Sequence, residues 1–201
     1  MLFFTIMKLK IIIFLGTIFI TLSFIKVNGQ NFDINVLESI NPVMPDAFVM
    51  KSLTNTAYPI SAGMTAGIFI NGLIRKNKEE QYKAVELGSS IFIAALSAQS
   101  LKWIFDRPRP YQTYSTISPY KVEDGASMPS GHTTIAFATA TSLSLQYKKW
   151  YVVVPAYTWA ATVGYSRLYL GAHYPSDALA GAVVGTASAF AGRWISKKIF
   201  R

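Results

Sequence analysis

Beyond residue 30 the apolar positions gather into five stretches that are nearly free of charge, at 52–74, 84–101, 132–147, 150–165 and 177–195. Their apolar residues recur at the helical period rather than alternating, which predicts helices and no strands. Small residues crowd the last three stretches, as they do where membrane helices approach closely. A further apolar run, 11–25, follows Lys8 and Lys10 and leads into Val27-Asn28-Gly29. A basic start, an apolar core of about 7–15 residues and a small-residue exit describe a secretory signal. Fifteen residues is also short for a span, which needs roughly 20. Residues 1–29 are therefore expected to be a cleaved signal peptide, with an uncleaved first transmembrane helix as the alternative. The pattern as a whole predicts an all-α, multi-span transmembrane helical bundle. Residues 30–51 form a non-cytoplasmic N-terminal segment in this reading, and 52–201 the functional domain.

The charges decide between this and a soluble bundle of buried helices. With the N-terminus in the cytoplasm, the cytoplasmic pieces are 1–10, 75–86, the Lys148-Lys149 turn and the tail from Arg193. They hold twelve Lys/Arg against three acids, whereas the other side holds seven against seven. The whole formal net charge of +9 thus lies on one face, and an excess of Lys/Arg in short loops is what orients a chain in a membrane. Trp103, Trp150, Tyr151 and Trp194 fall at predicted span ends, where amphipathic rings favour the interface.

Composition adds little that contradicts this. Only 14% of residues are charged, against ~25% in a soluble domain. There is no cysteine, which excludes disulfides and thiolate metal sites. The basic balance needs no nucleic acid, because cytoplasmic lysines face anionic membrane lipids. One long irregular stretch, 107–128, is rich in Pro, Tyr, Ser and Gly, and loops of that length are commonly functional.

The candidate chemistry sits in three short blocks: KWIFDRPRP at 102–110, PSGH at 129–132 and SRLYLGAHYPSD at 166–177. They contain both histidines of the chain, and the predicted topology carries all three to the non-cytoplasmic face. Lys102, Arg109 and Arg167 lie at span ends and offer one ammonium and two guanidinium forks, a set suited to phosphoryl oxygens. Taken singly, each is as well explained as an interfacial cation, and Arg107 and Lys121 keep that reading. Ser130 and Gly131 open a helix whose free N–H groups suit an anion. Ser130 offers a hydroxyl and Gly131 close backbone approach, although a capping role accounts equally well for an isolated Ser-Gly helix start. His132, one residue on, can protonate a leaving oxygen. His173 is followed four residues later by Asp177, and a carboxylate that fixes an imidazole makes its other nitrogen a competent nucleophile. Asp177 also suits the positive end of a helix dipole. The cations argue against a metal site, and acyl transfer by Ser130 lacks the G-x-S-x-G elbow.

In these blocks the chain resembles the type 2 phosphatidic acid phosphatase superfamily, whose signature is K-x6-RP, PSGH and SR-x5-H-x3-D. All three elements are present in order, within the portion from residue 52 to about 198. The resemblance implies metal-independent hydrolysis of a phosphate ester through a phosphohistidine intermediate, without a cofactor. It implies His173 as nucleophile, Asp177 as its orienting partner and His132 as general acid and then base. Lys102, Arg109, Ser130, Gly131 and Arg167 would bind the substrate phosphate. With the predicted topology, the expectation is a lipid phosphatase at the periplasmic face, in a bacterial-type inner membrane. Phosphatidate, phosphatidylglycerol phosphate, an isoprenyl diphosphate and a lipid A phosphate are the candidate substrates. The alternatives are a soluble secreted acid phosphatase of broad specificity and a non-catalytic lipid-phosphate binder.

Overall fold

A computed structural model describes residues 29–43 and 48–200. The signal or first-span reading of residues 1–29 lies outside the described residues except at Gly29. The described residues form eight helices and no strand: α1 (Gly29–Ile40), α2 (Phe48–Asn55), α3 (Ala57–Ile74), α4 (Lys78–Phe105), α5 (Pro110–Thr113), α6 (Gly131–Tyr147), α7 (Trp150–Tyr169) and α8 (Pro175–Phe200).

Four of the five expected apolar stretches each become one helix, with local chemistry setting the ends. The Asn77 side chain caps α4 by accepting from the Glu79 and Glu80 N–H groups at 2.9 and 3.3 Å. Those two glutamates then sit on the positive end of the helix dipole. Asp106 and Lys148 end α4 and α6 in the left-handed conformation, at φ 39° and 49°. The first stretch departs from expectation, because it is broken at Thr56 into α2 and α3. The Thr56 hydroxyl donates to the Leu53 carbonyl at 2.6 Å and accepts from the Trp159 indole at 2.9 Å. Such side-chain bonds compete with the helical ladder.

Size sorting runs inside out. The interior is built from small residues, among them Ala57, Ala136, Ala140 and Ala160 around Val163. Large apolar side chains such as Phe92, Leu96, Leu179, Val183 and Phe190 face outward, as do Trp103, Trp150, Tyr151 and Trp194. That is the arrangement expected when lipid is the solvent and close helix approach supplies the packing. Three helical segments are long and apolar enough to cross a membrane, Ala57–Ile74, Lys78–Thr113 and Pro175–Lys198.

Helix α6 is milder because it faces protein. It packs against α3, α4, α7 and α8, and its buried hydroxyls bond across the bundle, Thr139 to Ser61 at 2.7 Å and Thr141 with Tyr157 at 3.0 Å. Helices α6 and α8 touch through glycine. A Cβ on Gly181 would lie 2.8 Å from the Ser130 carbonyl oxygen, and one on Gly185 would collide with the Thr134 carbonyl. Gly185→Ala should therefore lower the melting temperature of the detergent-purified protein, by overpacking of about 1–3 kcal/mol.

The helices run antiparallel, so α3, α6 and α8 start where α4 and α7 end. At the opposite end lie the α3–α4 and α6–α7 turns and the end of α8, joined by Gln146 to the Lys83 carbonyl at 3.0 Å and Arg193 to the Leu145 carbonyl at 2.7 Å. That end carries Arg75, Lys76, Lys78, Lys83, Lys148, Lys149, Arg193, Lys197 and Lys198. The three motif blocks all lie at the other end.

Candidate active site

Helix termini bring the distant blocks together. The Ser130 N–H donates to the Asp177 carbonyl at 3.0 Å, which locks the start of α6 to the start of α8. His132 stands on the first turn of α6, Arg167 on the last turn of α7, and His173 in the link between α7 and α8. His132 lies within electrostatic range of His173, Arg167, Arg109 and Glu123. Lys102, near the end of α4, donates to the Ala126 carbonyl and lies within the same range of Arg109, Arg167, Asp177 and Glu123. All eight candidate residues from the sequence thus gather at one end of the bundle.

His173 is almost fully buried, at 2% exposure. Burial lowers its pKa to about 4, against the Asp177 carboxylate, which raises it, and with Arg167 adding to the fall. Burial thus favours the uncharged imidazole, whose lone pair is available for attack. Its Nδ1 lies 3.6 Å from Asp177 Oδ2, beyond hydrogen-bond reach, and has no hydrogen-bond partner. Asp177 is instead held on every side. Its Oδ2 accepts from the Ser127 hydroxyl and, at 2.9 Å, from the Tyr174 N–H, while its Oδ1 accepts from Arg107 at 2.7 Å. The bond to Tyr174 reaches back across the first turn of α8, as a capping-box carboxylate does. Asp177 thus serves the helix start and faces the imidazole with the same oxygen.

The two arginines are buried and converge on one anion. Arg109 reaches Glu123 at 2.9 Å and also donates to the carbonyls of Gly125, Asp124 and Ala172, each at 3.1 Å. Arg167 donates to Thr54 at 2.9 Å and, through its second terminal nitrogen, to the other Glu123 oxygen. Its Nε is buried without a partner. Burial raises the Glu123 pKa, but Arg167 and then Arg109 outweigh it and hold the carboxyl at about 2. The pair of guanidinium groups therefore grips a carboxylate where a phosphate would compete for the same donors.

Ser130 is fully buried and accepts from the Thr133 hydroxyl at 3.0 Å, without making a side-chain cap bond. At Gly131 a Cβ would lie 3.3 Å from the Tyr58 hydroxyl, a tight approach that favours glycine there. Among the described residues no group of three or more His, Cys, Asp or Glu is disposed to hold a metal ion.

Four residues at the site were not singled out from the sequence. Arg107, read as an interfacial cation, in fact bridges Asp177 and Asp33, at 2.7 and 2.9 Å, with its guanidinium over the Tyr174 ring at 3.8 Å. Asp33 also accepts from the Ser176 N–H at 2.9 Å and from its hydroxyl. It belongs to α1, in the segment that the motifs do not reach, so no pattern pointed to it. Ser127 had no signal either. Glu123 had a weak one: an acidic pair, Glu123-Asp124, inside a loop flanked by basic blocks.

A phosphate taking the Arg109 and Arg167 donors would have to displace Glu123, so Glu123→Gln should tighten binding of inorganic phosphate. We expect roughly tenfold, equivalent to ~1.4 kcal/mol, read as the phosphate concentration that raises the melting temperature by a fixed amount. Unchanged or weaker phosphate binding would show that Glu123 does not compete.

The PAP2 superfamily model matches residues 83–201. A lipid A 1-phosphatase of Porphyromonas gingivalis is 42% identical over 103 residues, covering 50% of this chain and 21% of that protein. The undecaprenyl-diphosphatase BcrC of Bacillus subtilis is 27% identical over 163 residues, covering 80% of this chain and 76% of its own. The chain thus spans about a fifth of the first relative and three quarters of the second. Among solved structures, the transmembrane PAP2-type phosphatidylglycerolphosphate phosphatase of Bacillus subtilis superposes with a TM-score of 0.70. It is 25% identical, over 94% of this chain and 98% of that one.

Proposed function

The chain belongs to the PAP2 superfamily, and from that premise we propose that it is a metal-independent phosphatase of membrane lipid phosphates or diphosphates. Its domain is residues 52–201 and its active site opens on the periplasmic face. The orientation is supported by the basic end of the bundle lying opposite the site, since Lys/Arg-rich loops stay cytoplasmic. The substrate class is supported by relatives named for lipid A, undecaprenyl diphosphate and phosphatidylglycerolphosphate.

One observation carries the reading: Arg109 and Arg167, 58 residues apart in sequence, close on the same carboxylate beside His173. With a phosphoryl group in that place, His173 Nε2 attacks phosphorus and the bond to the leaving oxygen breaks, the lipid's alcohol oxygen in a monophosphate or the bridging oxygen in a diphosphate. His132, which enters this step protonated, gives that oxygen its proton. His132 then takes a proton from water, whose oxygen attacks the phosphohistidine and releases phosphate and free imidazole. Arg109, Arg167 and Lys102, with the Ser130 hydroxyl and the Gly131 N–H, hold the oxygens as charge spreads over them. Asp177 steadies the imidazolium formed when His173 is phosphorylated.

The test is phosphate release by the detergent-purified protein from phosphatidate, phosphatidylglycerol phosphate, undecaprenyl diphosphate and lipid A, each with and without chelator. Turnover of one or more, undiminished by chelator, is expected. No turnover of any, or loss of all turnover on chelation, would contradict the reading.

A further inference from the structure

We propose that Asp33 of α1 is a positioning residue for the reaction: acting through Arg107, it sets the orientation and the net charge that Asp177 presents to His173. This rests on the phosphatase reading and extends its machinery into a helix that none of the three motif blocks reaches.

The four side chains form an unbroken line. Asp33 Oδ2 meets Nη2 of Arg107 at 2.9 Å, and Nη1 of the same guanidinium meets Asp177 Oδ1 at 2.7 Å. The other Asp177 oxygen, Oδ2, faces His173 Nδ1 at 3.6 Å. Water has little access to the line, since Asp33 is 6% exposed and both Asp177 and His173 are buried. Arg107 is held between the carboxylates by the Tyr174 ring beneath it and by the Ser176 hydroxyl, to which it donates at 2.7 Å.

The signs of the charges give Asp33 its role. When His173 takes the phosphoryl group its ring becomes cationic, and Asp177 is the anion beside it. A lone guanidinium 2.7 Å from that anion would cancel much of its field at the ring. Asp33 offsets Arg107 in turn, so the three groups together face the imidazole with a net negative charge. Arg107 can then pin Oδ1, which keeps Oδ2 toward the ring, without neutralising the carboxylate it pins. Asp33 also accepts from the Ser176 N–H at 2.9 Å and from the Ser176 hydroxyl, bonds that dock α1 on the first turn of α8. Docking alone would make Asp33 a structural residue, so the experiment has to separate the two.

Turnover of the lipid phosphate that the unaltered protein hydrolyses fastest is measured for the full chain and four variants: Asp33→Asn, Ser176→Ala, Arg107→Gln and the double variant Asp33→Asn/Arg107→Gln. Melting temperatures are read with and without inorganic phosphate. Asp33→Asn should lower kcat about tenfold, within the range of coupling inside one ion-pair network. KM and the stabilisation by phosphate should stay within twofold, because Arg109, Arg167 and Lys102 do not depend on Asp33. Ser176→Ala, which loosens the docking and keeps the charges, should lower the melting temperature and leave kcat within twofold. In the Arg107→Gln background, adding Asp33→Asn should move kcat less than twofold, since the cation it would leave uncompensated is already gone. That comparison stands even if Asp33→Asn alone is too unstable to purify. Unchanged kcat in Asp33→Asn, an equal loss in Ser176→Ala, or a tenfold fall in the Arg107→Gln background would each overturn the assignment. No turnover by the unaltered protein would instead overturn the phosphatase reading, and the role of Asp33 with it.

Discussion

His173→Ala is expected to abolish phosphate release, by roughly 10⁴-fold or more in kcat, the scale seen when a nucleophile is removed from a catalytic unit. The size of the effect follows from the proposed mechanism, in which the His173 imidazole forms the covalent intermediate and no other side chain described at the site replaces it. In the proposed mechanism His132 serves the leaving group instead, and Ser130 is buried against Thr133. The substitution should leave phosphate binding nearly intact, because Arg109, Arg167 and Lys102 are untouched. A variant that no longer turns over substrate yet is still stabilised by inorganic phosphate separates lost chemistry from lost structure. Turnover within tenfold of the unaltered protein would remove His173 from the mechanism.

Arg167→Ala should cost about 10²–10³-fold in kcat/KM, the range for deleting one charge-stabilising donor in a closed site. Two losses combine here. The substrate loses a fork, including the buried Nε that has no hydrogen-bond partner, and among the described residues Glu123 keeps only Arg109 as its ion-pair partner. The second loss is structural and can be isolated. Adding Glu123→Gln to Arg167→Ala removes the under-compensated carboxylate, so stability should recover while activity does not. Joint recovery of both would mean that Arg167 acts only by holding the loop.

The sequence exposes most of what is periodic or local and little of what is assembled. Five helical stretches and one-sided charge were readable because the bilayer imposes length and polarity on each segment separately. Helix α6 is one of the five, although its mild hydropathy reflects burial against four neighbours rather than a weak tendency to span. The break at Thr56 does have a local signal, since Pro59 three residues on has no N–H for the Asn55 carbonyl and suits only the first turn of a helix. The bond from an indole more than 100 residues away, by contrast, is invisible in the sequence. The same holds at the site. The motif residues advertise themselves by type and spacing. Asp33 acts only through Arg107 and Ser176, which the chain reaches by folding back over more than 70 and 140 positions. The assignment of Arg107 to the interface failed for that reason: its function lies in which carboxylates meet it. Glu123 shows the limit most clearly, since an acid in a basic pocket looks like neutral loop composition until both arginines close on it.

The central claim is that an imidazole at position 173 takes the phosphoryl group directly while guanidinium groups from two other blocks hold its oxygens. Rapid acid-free quenching of the protein with ³²P-labelled lipid phosphate, followed by digestion and peptide mapping, tests that claim most directly. The account predicts an acid-labile, base-stable phosphate on the peptide carrying His173, absent from His173→Ala and longer-lived in His132→Ala, where water is no longer activated. Label on another residue, or full turnover with no labelled peptide in either protein, would contradict it.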